Sequence, residues 1–328
     1  MGGDHAPEEI VHGTLLAARS GEVETLLVGD ERRLRPLVGA ASGVTIVHAP
    51  NAVAMDASPS QALRGADETS LGAAVNLVRD GAADAVVSAG NSGAFLAIAL
   101  FRLRTIAGIA RPAIAAVLPA KGGPVVILDA GANVDCRPEW LVQFGVMGSA
   151  YAHGVLGIAV PKVGIVSVGE ERVKGNAQTI EAAAGLDRAP IQFVGNVEGK
   201  DVFARVADVF VTDGFVGNVM LKLSEGLATF VGEVLADELS SGSALSKAGA
   251  LLAKPALRRV RQKLNYDTYG GAPLLGLRGN CIVAHGRANR YAMRSAISAA
   301  ASAVREDVVG HIEQLVSRID LKDLKAAP

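Results

Sequence analysis

Four segments of the chain bring Gly, Asn and Asp together in the way an anion site requires. They are Ser88-Ala89-Gly90-Asn91-Ser92-Gly93, Asp129-Ala130-Gly131-Ala132-Asn133-Val134-Asp135, Val168-Gly169-Glu170-Glu171-Arg172-Val173-Lys174-Gly175-Asn176 and Asp213-Gly214-Phe215-Val216-Gly217-Asn218. Each follows a short apolar run. Gly lets backbone N–H groups approach a ligand closely, and a helix N-terminus favours negative charge. Taken singly, each segment is also an ordinary tight turn. Four in one chain point to an anion site.

The side chains sort by what they offer. Lys174, on a Gly-flanked segment, supplies an ammonium that neutralises a bound anion; otherwise it is a surface lysine. Asn218 supplies an amide donor or a helix cap. Asn91, with the N–H groups of Ser92 and Gly93, forms an anion cradle at a helix start, and Asn133 and Asn176 are read in the same way. The neighbours Asp4 and His5 are either a proton donor and phosphate ligand or a capping Asp beside a structural His. Cys136 lies in Cys-Arg-Pro with no local base, so it is read as an inert thiol and not as an acyl-carrying nucleophile. Cys281 precedes Ile-Val and reads as core. His285 reads as structural.

Other chemistries lack their motifs. The phosphate loop G-x-x-x-x-G-K-[ST] and the dinucleotide fingerprint G-x-G-x-x-G are both missing. No G-x-S-x-G elbow marks a serine hydrolase. The two cysteines form neither a disulfide framework nor a metal-ligand cluster. No metal and no cofactor is expected.

These residues need a scaffold. Apolar, β-branched runs at Thr25–Val28, Val44–Val47, Ala85–Ser88, Val125–Leu128, Val163–Val168, Val209–Thr212 and Ile282–Ala284 alternate with Ala- and Leu-rich helical stretches. Several runs are apolar on both faces, as in central strands covered by helices. The expected fold is a three-layer α/β/α sandwich with a largely parallel sheet, built as one catalytic domain over residues 1–328. In such sheets ligands bind beyond the carboxyl ends of the strands. Of the 328 residues, 50% are hydrophobic and 20% charged, a globular balance. A net charge of −1 and only 4% aromatics argue against a nucleic-acid partner. The N-terminal residues have no signal-peptide pattern, and the apolar stretch from Ala85 to Phe101 is interrupted by residues 90–93. A cytoplasmic location is expected.

One stretch departs from this pattern. From Leu239 to Tyr266 there is no acidic residue, whereas Lys247, Lys254, Arg258, Arg259, Arg261 and Lys263 are present. Leu252, Ala256, Val260 and Leu264 recur every four residues, so a basic amphipathic helical excursion is expected over about 222–268, broken into two helices at Pro255. It reads as a contact for an acidic partner, for an anionic membrane surface, or as a solvated face against a second subunit.

The chain resembles the PlsX family of phosphate acyltransferases. The likeness is carried by MGGDHAP at 1–7, SAGNSGAFLA at 88–97, RPAIA at 111–115, LDAGANVDCRPEWL at 128–141, GEERVKGN at 169–176 and FVGNVEGKD at 193–201. It continues through TDGFVGNVMLKLSEG at 212–226, YGGAPLLG at 269–276 and AHG at 284–286. Two departures stand out. The family normally carries an apolar strand before MGGD, where this sequence has Met1: either the true start lies upstream or the strand is missing, and its absence would weaken the anchoring of Asp4 and His5. The family's Lys-rich cluster is here Arg64-Gly65-Ala66-Asp67-Glu68-Thr69-Ser70.

The resemblance implies a fold similar to isocitrate dehydrogenases and phosphotransacetylases, usually as a homodimer. It implies transfer of a fatty acyl group from acyl-carrier protein to inorganic phosphate, giving acyl phosphate for phospholipid synthesis. It also implies peripheral membrane association and hand-off to a membrane glycerol-phosphate acyltransferase. Two rivals remain open on the residues alone: a dehydrogenase of the same fold, and a non-enzymatic membrane scaffold.

Overall fold

The computed structural model describes residues 1–241, 243–264 and 270–318, with side chains between 244 and 264 described at 249 and 251–260. In chain order the first elements are α1 (Glu8–Ala18), β1 (Thr25–Gly29), α2 (Glu31–Val38), β2 (Val44–His48), α3 (Pro59–Arg64), α4 (Ser70–Arg79), β3 (Ala85–Ser88) and α5 (Ser92–Leu103). The hairpin β4 (Ala113–Ala120) and β5 (Gly123–Leu128) follows, then α6 (Pro138–Gly154), β6 (Lys162–Val166), α7 (Ala177–Leu186), β7 (Gln192–Val197), α8 (Asp201–Ala204) and β8 (Val209–Val211). The chain continues with α9 (Gly214–Ser241), α10 (Ala244–Leu264), β9 (Ala272–Leu275), β10 (Asn280–Val283), α11 (Arg290–Arg305) and α12 (Val308–Val316).

Eight strands form the central sheet in the order β3-β10-β9-β4-β5-β8-β6-β7. β5, β8, β6 and β7 are mutually parallel, as are β3 and β10, but three successive antiparallel pairings separate these groups. The two parallel groups therefore run in opposite directions. β1 and β2 pair in parallel as a separate sheet. Between β1 and β3 lies a cleft of about 570 Å³, lined by Met1, Leu27 and Val86 among others. Burial there pushes the Met1 ammonium below its usual pKa.

Helices cover both faces. On β5, Val126 and Leu128 pack into the core with α6, whereas Val125 and Ile127 pack on the other side with Val202 and Met220. That alternation is the reason the strand is apolar on both faces. Each large side chain so buried stabilises the fold by about 1.5–3 kcal/mol. α6 is buried nearly all round from Leu141 to Ala152, as befits a central helix. Around β3 and β10, Phe95 and Ile98 of α5 fill one side and Met293 and Ala296 of α11 the other.

Two details differ from the sequence reading. β4, β7 and β9 escaped it because alanine, glycine and proline dilute their β signal; pairing with a central sheet overrides that weak propensity. Pro255 does not break the basic stretch, because α10 runs through it. The missing N–H removes one backbone bond from an otherwise helix-favouring sequence, and the interruption falls instead between Ser241 and Ala244.

Candidate active site

Asp129 ends the apolar run of β5 and is wholly buried. Its Oδ1 accepts from the N–H groups of Ile114 (2.9 Å), Gly131 (3.1 Å) and Ala132 (3.0 Å). Its Oδ2 accepts from Asn133 N (2.6 Å) and Asn133 Nδ2 (2.9 Å). Burial pushes the carboxyl pKa up, while these N–H donors oppose that push. Every contact comes from a donor, so the ionised carboxylate is the form that fits. The loop is thereby folded onto the start of β4.

The first turn of α9 packs against this loop. Gly214 N donates to Asn133 O at 2.7 Å, and Asp129 N donates to Thr212 O at 2.9 Å. A Cβ at Gly217 would lie 1.9 Å from the Asp129 carbonyl oxygen, so only glycine allows the approach. Gly131 has φ +138°, and a Cβ there would sit 3.7 Å from Asn218 Cβ. Asn218 is exposed, and its amide makes no hydrogen bond among the described residues.

Lys174 follows β6, the strand next to β8, so its loop opens at the same sheet edge. Its backbone is pinned. The Lys174 carbonyl accepts from Ser167 Oγ (3.0 Å) and Asn196 Nδ2 (3.1 Å), and its N–H donates to Glu171 O (2.9 Å). The Lys174 side chain is exposed and has no ion-pair partner among the described residues. Asn176 caps α7, with its Oδ1 accepting from Thr179 N at 2.8 Å. A free ammonium on a fixed backbone suits an incoming anion.

The remaining candidates lie at the carboxyl ends of β3 and β10, the group of opposite direction. Asp4 N donates to Gly286 O at 2.8 Å, and Asp4 Oδ2 lies 3.9 Å from Arg287 Nε. His5 is exposed, and its ring is unpartnered among the described residues. Asn91 caps α5 through Ala94 N, and its Nδ2 donates to the carbonyls of Ala54, Met55 and Ala57. Its side chain is thus occupied, although the N–H groups of Ser92 and Gly93 have no partner among the described residues. His285 Nδ1 accepts from Arg287 N at 3.1 Å, a structural bond.

The structure therefore brings Asn133 and Asn218 together around Asp129, sets Lys174 and Asn176 on the adjoining loop, and gives Asp4, His5 and Asn91–Gly93 to the other strand group. α9 leads from one towards the other. Asn218 lies just past its first turn, and Lys222, Thr229 and Phe230 farther along line a groove of about 670 Å³ with His285 and Arg287. Asp129, Ser167, Asn196 and Arg287 were not singled out in the sequence. A lone acid ending a run of buried apolar residues was the available signal for Asp129.

Cys136 is half-buried, and its Sγ donates to Asn133 O at 3.4 Å. Burial, with the nearby Asp129 charge, pushes its pKa up to about 12, which makes it a poor nucleophile. Burial pushes the Cys281 thiol up too.

Of the basic residues in α10, Lys254, Arg258 and Arg259 are exposed; the side chains of Lys247, Arg261 and Lys263 lie outside the described residues. Leu251, Leu252 and Val260 of α10 are exposed, as are Leu223, Leu227, Phe230 and Val231 of α9. No helix among the described residues is long and apolar enough to cross a membrane.

The fold is that of phosphotransacylase-like α/β proteins. A phosphotransacetylase from Streptococcus pyogenes superposes with TM-score 0.58 at 18% identity, covering 92% of each chain. A branched-chain phosphotransacylase from Enterococcus faecalis V583 gives 0.54 at 15% identity, covering 92% of this chain and 96% of its own. A 4-hydroxythreonine-4-phosphate dehydrogenase from Klebsiella pneumoniae gives 0.52 at 13%, covering 94% of each, so the likeness speaks to fold alone. Sequence narrows the class. Residues 1–311 match the model of the family described as fatty acid synthesis protein. A phosphate acyltransferase of Pelotomaculum thermopropionicum is 48% identical over 98% of this chain and 95% of its own length. One from Myxococcus xanthus is 46% identical over 97% and 92%. The chain belongs to this family, the phosphate acyltransferases of fatty acid synthesis.

Proposed function

We propose that the enzyme transfers a fatty acyl group from acyl-carrier protein to inorganic phosphate at the edge formed by Lys174 and Asn218. A phosphate oxygen attacks the thioester carbonyl, a tetrahedral oxyanion forms, and its collapse expels the carrier thiolate and leaves acyl phosphate. Phosphate is anionic at neutral pH and needs no strong base. Positioning and charge stabilisation therefore supply most of the rate. The carrying observation is that the Lys174 ammonium and the Asn218 amide are unengaged among the described residues, while the backbone around each is fixed. Lys174 neutralises phosphate and Asn218 donates to the oxyanion. On this reading Cys136 carries no acyl group.

The α9–α10 arm supports the finer parts of the reading. Its exposed apolar residues and its Lys254, Arg258 and Arg259 suit an acidic carrier protein, an anionic membrane surface or a second subunit. Product made beside a membrane passes directly to a membrane glycerol-phosphate acyltransferase. Asp4, bonded to Gly286 and near Arg287, and its neighbour His5 suit a contact with the carrier-bound substrate.

The test is free-thiol release from palmitoyl-acyl-carrier protein, with and without phosphate. Release that requires phosphate, with acyl phosphate trapped as a hydroxamate, supports the reaction. Release independent of phosphate, or none from folded protein, contradicts it.

A further inference from the structure

Asn133 has an amide whose orientation the fold dictates. Its Nδ2 donates to the carbonyl of Pro112 at 2.8 Å and to Asp129 Oδ2 at 2.9 Å. Both partners accept only: one is a peptide oxygen, and the other is a carboxylate whose remaining contacts are all N–H donors. Rotating the amide by half a turn would set oxygen against two acceptors, so that orientation is excluded. Both N–H bonds of Asn133 are therefore spent inside the protein. Its Oδ1 has no donor among the described residues, and the side chain is only partly buried. An amide read in the sequence as a donor is, in the fold, an acceptor.

This acceptor adjoins the proposed anion site, because Asn133 and Asn218 are both held against the 129–133 loop through Gly214, Gly217 and Gly131. Lys174 offers only donors, and the unengaged Asn218 amide presents no fixed acceptor, so neither by itself separates phosphate from other tetrahedral oxyanions. Inorganic phosphate near neutral pH always carries at least one O–H, whereas sulfate carries none. We infer that Asn133 Oδ1 accepts the O–H of bound phosphate, and that Asn133, oriented by Asp129, makes the site choose phosphate over sulfate. Asp129 is then a positioning residue and Asn133 a specificity-determining one. Sulfate would bring an unprotonated oxygen against the amide oxygen and be repelled, the general means by which buried polar groups reject an analogue lacking one hydrogen.

The inference rests on the phosphate site of the preceding reading, and its test needs no turnover. Phosphate and sulfate binding to the full chain are compared by calorimetry at matched ionic strength. The unmodified protein is expected to favour phosphate by about 100-fold or more. Asn133→Ala is expected to bind the two within about threefold of each other, because the donors remain and the one acceptor held in place by the fold is gone. Arsenate, which carries an O–H, is expected to follow phosphate. Comparable binding of sulfate and phosphate to the unmodified protein overturns the inference, even if Asn133→Ala fails to fold. Unchanged discrimination in a folded Asn133→Ala protein also overturns it. Failure of phosphate-dependent thiol release instead overturns the acyl-transfer reading and leaves the calorimetric ratio to decide this one.

Discussion

Asp129 and Lys174 follow strands of one parallel group, and the fold uses them in opposite ways. The Asp129 carboxylate is buried and each oxygen is filled by N–H donors. At Lys174 the backbone is bonded by Ser167 and Asn196, while the ammonium faces solvent. The first braces the 129–133 loop, and the second is the group to which we assign the chemistry. Polar residues whose hydrogen bonds are consumed by the fold should therefore fail by loss of stability, and those left unengaged should fail by loss of rate.

The largest effect is expected at Asp129. Replacing it by Ala strands several buried N–H groups and should cost about 3–5 kcal/mol, read as a lower denaturant midpoint. Activity should fall with the folded fraction and further as Asn133 loses its anchor. Lys174→Ala should cut phosphate-dependent release by about 100- to 1000-fold while changing stability by under about 0.5 kcal/mol. Asn218→Ala should show a similar split, with about a 100-fold loss in kcat.

Smaller effects sharpen the contrast. Arg290 donates to the Glu9 carboxylate from its backbone N at 2.7 Å and from its guanidinium, which lowers the Glu9 pKa from 4.5 to about 2. A depressed acid stabilises the fold above its unfolded pKa. The contribution is complete above pH 4.5 and is lost as pH falls towards 2. Glu9→Gln should cost about 1 kcal/mol near neutral pH, and the gap from the unmodified protein should close on acidification, as urea titrations at several pH values would show. Cys136→Ser should retain turnover within about threefold, because a thiol with pKa about 12 is not ionised where the enzyme works.

Much of the scaffold was legible because burial on both faces leaves continuous apolar runs. β5 is such a run, and Val125–Leu128 marked it. Less legible was anything decided by partners distant in sequence. Asn91 looked like a ligand, yet its amide is claimed by the carbonyls of residues 54, 55 and 57. Asn133 looked like a donor, yet Pro112 and Asp129 turn it into an acceptor. Four polar strand ends suggested one site, but the antiparallel steps through β9 and β4 divide them between two strand directions. Periodicity identifies a strand without giving its neighbour or its direction. That the Lys174 and Asn218 side chains are unengaged was legible in the sequence, because a side chain on a Gly-rich loop depends little on distant partners.

The most direct measurement is to assay Lys174→Ala for phosphate-dependent thiol release and to melt the same preparation. We expect release to fall at least about 100-fold with an unchanged melting temperature. Release within about threefold of the unmodified enzyme, or a loss matched by unfolding, would contradict the assignment of the chemistry to the unengaged groups at this edge.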